Sequence, residues 1–102
     1  MKVTWTPEAE AERLEIGEYI ALDNPRAAVR VDWRFDAAVR KLADFPRLGR
    51  PGTIAGTREL IPLPSHRIVY EIRDDGIWIT SVHHSARQWP PEPDAFDQED
   101  DA

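Results

Sequence analysis

The sequence predicts an α+β domain of order β-α-α-β-β-β, in which a helical hairpin packs on an antiparallel sheet. Two segments in the first half carry apolar residues at helical spacing, and each begins at a capping residue followed by proline. A loop rich in proline and glycine follows them. Three segments with strand-like alternation then complete the domain, and an Asp-Gly pair between the last two is typical of a hairpin turn.

The opening strand and the first helix are short and clearly bounded. Val3 and Trp5 alternate with polar residues, which predicts a strand. Thr6 and Pro7 are suited to be the N-cap and first residue of a helix that we expect over about residues 7–21. We expect its inner face to consist of Ala9, Ile16 and Ile20, supported by Leu14 and Tyr19.

The second helix has the strongest periodicity in the chain. Asn24-Pro25 repeats the start signal, and the short link to the first helix predicts an antiparallel hairpin. Its predicted inner stripe is Ala28, Val31, Phe35, Ala38, Leu42 and Phe45. Trp33 lies opposite that stripe, and an exposed tryptophan often marks an interface. The loop that follows contains Pro46, Gly49, Pro51 and Gly52.

Three strands are expected at about residues 57–63, 67–73 and 77–84, with Asp75-Gly76 as a type I′ turn. That turn places Ile72 opposite Ile79 and Arg67 opposite His84. A turn of three residues shifts the register by one and brings Arg67 opposite His83 instead. The more apolar face, with Ile68 opposite His83 in the first register, is assigned to the helices, and the other face is expected to be open.

Composition limits the broad class. A chain of 102 residues forms one domain, and without cysteine it has neither disulfides nor thiolate metal sites. No apolar signal region or membrane-spanning run is present, so we expect a cytoplasmic protein without membrane contact.

Charge is distributed unevenly. The net charge of −6 is carried entirely by residues 91–102, which contain Glu92, Asp94, Asp97, Glu99, Asp100 and Asp101 and no cation. That composition is typical of a disordered, solubilising tail outside a neutral domain at 1–90. Residues 46–70 hold four arginines against Glu59 alone. This excess suits an anion or an acidic partner, or shielding by the tail, but it is weaker than the footprint of a nucleic-acid binder.

The order of several short motifs resembles the RelE/ParE family of toxins from type II toxin–antitoxin systems, over about the first 90 residues. These motifs are Thr6-Pro7, Asn24-Pro25, Gly49-Arg50, Gly56-Thr57-Arg58-Glu59, Arg67-Ile68-Val69-Tyr70 and His84-Ser85-Ala86-Arg87-Gln88-Trp89-Pro90. The resemblance implies a toxin that forms a hetero-oligomer with a cognate antitoxin, reaches operator DNA only through it and needs no cofactor.

In the RelE-like branch, the resemblance implies ribosome-dependent cleavage of messenger RNA. Arg67 would contact the scissile phosphate, with Arg58 and Glu59 from the preceding strand and His84 near the C-terminus. Such chemistry needs a base, an acid and cations for the phosphorane. The cutting enzymes place an acid or base where this chain has Ser85 and Ala86. The catalytic set is therefore incomplete.

The ParE-like branch inhibits DNA gyrase by protein contact. The motif at residues 84–90 resembles this branch more than the RelE-like branch. The residues predicted to bind a target or the antitoxin are Trp33, Arg58, Arg67, Trp78, His84, Arg87 and Trp89. His83 and His84 point to opposite faces of their strand, which argues against a metal pair, and His83 is expected to be a satisfied, partly buried histidine. A binding module without toxicity is the third hypothesis.

Overall fold

The structure, a computed structural model, describes residues 1–84, in which two helices pack on one face of a five-stranded sheet. The elements are β1 (Val3–Trp5), α1 (Pro7–Ala21), α2 (Pro25–Arg40), a 3₁₀ turn (Lys41–Ala43), β2 (Arg50–Pro51), β3 (Arg58–Leu63), β4 (His66–Arg73) and β5 (Gly76–His84). Neither helix of this described part is both long and apolar enough to span a membrane. The α+β class predicted from the sequence is confirmed.

Both predicted helix starts are formed by side-chain caps. The Thr6 hydroxyl oxygen accepts from the Ala9 N–H at 3.2 Å, and the Asn24 side chain accepts from the Ala27 N–H at 3.1 Å. The Thr6 hydroxyl also donates to the Ile79 carbonyl at 2.9 Å, which fixes the start of α1 to β5. Each cap satisfies a backbone donor that the first helical turn leaves unpaired.

The two helices are held together by a guanidinium–carboxylate contact as well as by apolar packing. Arg13 Nη2 donates to Asp32 Oδ2 at 2.9 Å, and the Arg13 guanidinium lies 4.7 Å from the centre of the Trp5 ring. The hydrogen bond to Asp32 raises the pKa of Arg13.

The sheet is antiparallel except at one edge. Its strand order is β1-β5-β4-β3-β2, and β1 runs parallel to β5. The two-residue strand β2 lies within the stretch predicted to be a loop and pairs with β3. The sheet is therefore mixed, because β1 joins it from the start of the chain.

The predicted hairpin turn is wrong by one residue. The loop of the turn is Asp74-Asp75, and Gly76 is the first residue of β5, so Ile72 pairs with Ile77 and not with Ile79. Gly76 has φ of +136°, and a Cβ there would lie 2.5 Å from the Lys2 carbonyl oxygen. Glycine is favoured at this position both by its positive φ and by the close approach of the Lys2 carbonyl, although Gly76 is not one of the two loop residues of the turn.

Thr80 is an extra residue in β5 that changes the register a second time. Tyr70 pairs with Ile79 and Val69 pairs with Ser81, so Thr80 lies between these pairs without a partner in β4. Beyond this bulge Arg67 pairs with His83, the alternative given by a shifted register. Val82 thereby joins the helix-facing core, and His83 lies on the face away from the helices.

The core lies between the helices and the sheet. Its buried members are Ala9, Phe35, Val39, Leu42, Leu60, Ile68, Tyr70, Ile77, Ile79 and Val82. Phe45, predicted to be part of the inner stripe, is 63% exposed because the 3₁₀ turn that follows α2 ends at Ala43 and helical spacing no longer applies beyond it. Leu14 and Tyr19, predicted to support the inner face of α1, are also exposed.

Candidate functional site

A buried carboxylate organises the sheet face away from the helices. The Glu59 side chain is 2% exposed, and its Oε1 lies 3.4 Å from Arg50 Nη2 and 3.6 Å from Arg67 Nε. Its Oε2 accepts from the Thr53 N–H at 3.2 Å. A buried carboxylate needs both charge compensation and hydrogen bonds, and Glu59 obtains them from two strands and a loop.

Arg67, the residue predicted to contact a phosphate, is therefore part of an internal ion pair. Its side chain is 19% exposed, and its Nε is buried and donates no hydrogen bond to any residue in 1–84. Across the strand it pairs with His83, which is itself buried. The charge of Arg67 is compensated by Glu59, which leaves less of it for an incoming anion.

Arg58 points to the opposite face of the sheet. It pairs in register with Tyr70, and its Nε donates to the Gly49 carbonyl at 2.8 Å, while Nη2 donates to the Arg47 carbonyl at 3.3 Å. The Tyr70 hydroxyl donates to the Pro46 carbonyl at 2.7 Å and accepts from the Gly49 N–H at 2.9 Å. Arg58 and Tyr70 together fix the loop that follows the second helix.

His84 lies on the helix-facing side, in a cluster of rings. Its ring centre is 5.1 Å from that of His66, which in turn lies 5.5 Å from Phe35 of α2. Burial, together with the nearby charge of His84, lowers the pKa of His66. The neutral imidazole is therefore the favoured form of His66 near neutral pH.

A groove of about 510 Å³ opens between α1 and the ends of β4 and β5. Its lining combines two carboxylates, three imidazoles and apolar side chains. These residues are Glu12, Glu15, Ile16, Tyr19, Ile20, His66, Val82, His83 and His84. Within residues 1–84 no cluster of three potential ligands is placed to hold a metal ion.

Glu12 closes the outer edge of β5 beside this groove. Its Oε1 accepts from the Val82 N–H at 3.1 Å, and its Oε2 lies 3.4 Å from the Ser81 hydroxyl. β1 pairs only with residues 77–79 of β5, so the carboxylate occupies the place of a neighbouring strand. An unpaired strand edge invites association with other chains, and Glu12 blocks part of it.

The described tryptophans among the predicted binding residues lie far apart in the architecture. Trp33 is 76% exposed on α2, as its position opposite the apolar stripe predicts. Trp78 on β5 donates to Asp75 at 2.9 Å, and the Arg73 guanidinium lies 5.0 Å from its ring centre. Arg87 and Trp89, like the tail at 91–102, lie outside the described residues.

The three residues that the sequence predicts for a nuclease therefore lie on opposite faces of the sheet. Arg67 lies with Glu59 on one face, whereas Arg58 and His84 lie on the other. The contact of Arg50 with Glu59 was not predicted from the sequence, although Gly49-Arg50 and Gly56-Thr57-Arg58-Glu59 are both motifs of the family resemblance. Glu12 had no local signal, because its partner Val82 is distant in the chain.

Comparison with known proteins gives a family match over almost the whole described chain. The family described as ParE toxin of type II toxin-antitoxin system, parDE, matches residues 3–89. The putative toxin Y4kP of Sinorhizobium fredii is 43% identical over 90 residues, which are 87% of this chain and 93% of that protein. Toxin RelE2 of Caulobacter vibrioides is 37% identical over 86 residues, which are 84% of this chain and 97% of that protein.

Solved structures share the fold at lower sequence identity. A chain of the chromosomal ParDE system from P. aeruginosa superimposes with a TM-score of 0.72 at 23% identity, covering 82% of this chain and 95% of that one. The YoeB/ParE toxin from Agrobacterium tumefaciens gives 0.57 at 18% identity, covering 82% and 98%. These matches confirm two helices on a mixed sheet as the common architecture.

Proposed function

The chain belongs to the ParE family of type II toxins, and from this premise we propose that it inhibits DNA gyrase by protein contact and does not cut RNA. Membership in the family implies a cognate antitoxin as its partner. The matching family is named ParE, whereas one relative is named RelE2. These names do not decide between gyrase and messenger RNA as the target, so the choice between them rests on the residues of the candidate site.

The observation that supports contact over cleavage is the state of Arg67. Phosphorane stabilisation requires a preorganised cation aimed at the substrate, with an acid and a base nearby. Arg67 is mostly buried and lies 3.6 Å from the Glu59 carboxylate. Arg58 is engaged by backbone carbonyls, and His84 is on the other face of the sheet. These three residues do not converge on one substrate position.

A protein that inhibits its target by contact needs exposed side chains that bind the target, and it does not need a set of catalytic residues. Aromatic and arginine side chains contribute most to protein interfaces. Trp33 and Trp78 are candidates within the described residues, and Arg87 and Trp89 remain predicted anchors near the end of the matched family region. Truncating Arg87 or Trp89 should therefore reduce toxicity more than truncating Arg67.

Expression of the chain without its antitoxin tests the proposal. Incorporation of labelled thymidine and labelled methionine is followed in the same culture, and we expect DNA synthesis to stop first. Purified chain should inhibit supercoiling by gyrase. Early arrest of protein synthesis with intact supercoiling would contradict the proposal.

The nuclease alternative makes a separate prediction. If purified chain cleaves ribosome-bound messenger RNA, Arg67→Ala should lower the rate by about two to three orders of magnitude, as loss of one electrostatic donor does. Arg73→Ala is the matched control, because Arg73 is exposed at the far end of the same strand, where it contacts Glu71 and the Trp78 ring and lies apart from Glu59. Cleavage that depends on Arg67 but not on Arg73 would establish the nuclease.

The antitoxin is expected to cover either the sheet face that carries Trp78 or the Trp33 side of the helices. A disordered segment that folds on binding is suited to such a mixed surface. Co-expression with the neighbouring short open reading frame should yield a stable complex in which Trp33 or Trp78 loses solvent exposure. Failure to recover a complex would contradict this assignment.

A further inference from the structure

The exposed face of α2 carries two parallel rows of side chains. Val29, Trp33 and Ala37 follow one another at intervals of four residues, and Arg26, Arg30 and Arg34 form a second row three positions earlier. Residues four apart lie above one another on a helix, so the apolar row and the cationic row run side by side. All six residues are exposed.

Within residues 1–84, the cationic row has no ion-pair partner and the apolar row remains exposed. The two acidic residues of α2 are already paired, Asp32 with Arg13 and Asp36 with Arg40. Arg26, Arg30 and Arg34 form no ion pair within residues 1–84. Like charges four residues apart destabilise a helix, and Trp33 exposes 76% of its surface beside them. This face is therefore suited to a ligand that is both acidic and aromatic.

One segment of this chain has that chemistry. Residues 91–102 carry the whole net charge of −6, and they include one aromatic residue, Phe96, among the carboxylates. Three of the four arginines of residues 46–70 are poorer partners than sequence alone indicates. Arg50 and Arg67 contact Glu59, and Arg58 donates to backbone carbonyls, whereas the row on α2 remains uncompensated.

The chain leaves the described part at a position from which the segment can reach α2. The ring of His84 contacts the ring of His66, and the ring of His66 contacts Phe35 on the inner face of α2. Phe96 follows His84 by 12 residues, which span up to about 40 Å when extended. A helix with its side chains is about 10 Å across, and the arginine row is about 12 Å long. The segment is long enough to pass around the helix and lie along the row.

We propose that the acidic segment 91–102 docks on the outer face of α2, with Phe96 against Val29 and Trp33 and its carboxylates along Arg26, Arg30 and Arg34. The segment then occupies a surface that a protein partner also reaches, and a partner using this face displaces it. The proposal does not depend on whether gyrase or the ribosome is the target.

A single spin label tests this docking directly. The chain has no cysteine, so Gln98→Cys introduces one attachment site without changing the charge of the segment. In the full chain labelled at position 98, we expect loss of the amide NMR signals of residues 26–37 relative to the reduced, diamagnetic label. Raising the salt to 1 M, where the screening length is about 3 Å, should restore them.

Two variants separate this surface from general attraction to positive charge. Replacing Arg26, Arg30 and Arg34 together by glutamine should restore the signals of residues 26–37. Arg47→Gln, an exposed arginine in the loop, should leave the broadening unchanged. Circular dichroism of each variant confirms that α2 is intact.

Three outcomes would overturn the proposal. Absence of broadening on α2 means that the segment does not dock. Broadening centred on residues 47–58 places it on the arginine-rich loop instead. Broadening of isotope-labelled chain by an equimolar, spin-labelled, unenriched chain shows that a second copy supplies the segment.

Discussion

Removal of the Glu59 carboxylate is the most direct perturbation of the sheet face that holds Arg67. In Glu59→Ala the Thr53 N–H loses a charged acceptor at 3.2 Å, and Arg67 remains mostly buried without its counter-ion. A hydrogen bond to a charged group contributes about 1.5–3 kcal/mol. The Arg50 contact adds little, because its side chain is 60% exposed and solvent screens the pair. Together these losses give an expected destabilisation of about 3 kcal/mol.

Urea denaturation followed by circular dichroism measures this change. Glu59→Gln keeps an oxygen for the Thr53 N–H but removes the charge, so we expect about half the loss of Glu59→Ala. Glu71→Gln is the matched control, since Glu71 is partly exposed and pairs with the exposed Arg73, and its cost should be about 0.5 kcal/mol or less.

A double-mutant cycle isolates the contact with Arg67. Adding Arg67→Met to Glu59→Gln removes both charges. The double variant should lose less free energy of unfolding than the two single variants lose in sum, by about 1 kcal/mol or more. If Glu59→Gln unfolds at the same urea concentration as the unaltered chain and the cycle shows no coupling, the charges are independently solvated. Arg67 would then be available to an incoming anion.

Three further outcomes follow from the described contacts. Phe35→Ala should cost about 3–5 kcal/mol in urea unfolding because Phe35 is buried between helix and sheet, and a loss below about 1 kcal/mol would contradict that packing. Tyr70→Phe removes the hydroxyl shared by Pro46 and Gly49 and should cost about 1–3 kcal/mol, whereas Tyr19→Phe, at an exposed tyrosine, should be neutral. The pKa of His66 is lowered from 6.5, so the unfolded chain binds more protons below that pH and stability present above it is lost as pH falls. His66→Gln should flatten this loss between pH 7.5 and 5.5, and an unchanged slope would refute the assignment.

Local signals predicted the helices well because the determinants are close in sequence. Thr6 and Asn24 cap the helices through backbone donors three residues away, and each is followed by the proline that begins the helix. Phe35 and Leu42 are buried as the helical spacing predicts. Phe45 is not, since the chain leaves helical geometry after the 3₁₀ turn at Lys41–Ala43 and periodicity does not reveal where a helix ends.

Strand register could not be predicted to the residue, because distant parts of the chain determine it. Asp75-Gly76 is a common turn pair, but in the fold Gly76 lies against the carbonyl of Lys2, the residue before β1. Thr80 then adds a bulge without a sequence signal. One shift places Ile72 opposite Ile77, and the second brings Arg67 opposite His83.

The structure and the sequence indicate different surfaces for binding a partner. In sequence, the excess of arginine over residues 46–70 indicates an anion site. In the fold, Arg67 and Arg50 both contact Glu59, and backbone carbonyls accept from Arg58, so these three arginines mainly stabilise the sheet and its loop. The row on α2 lacks such partners within residues 1–84 and lies beside the exposed Trp33. Uncompensated charge beside exposed aromatic surface is what a protein ligand recognises. The outer face of α2 is therefore a stronger candidate for regulated contact than the strand that carries Arg67.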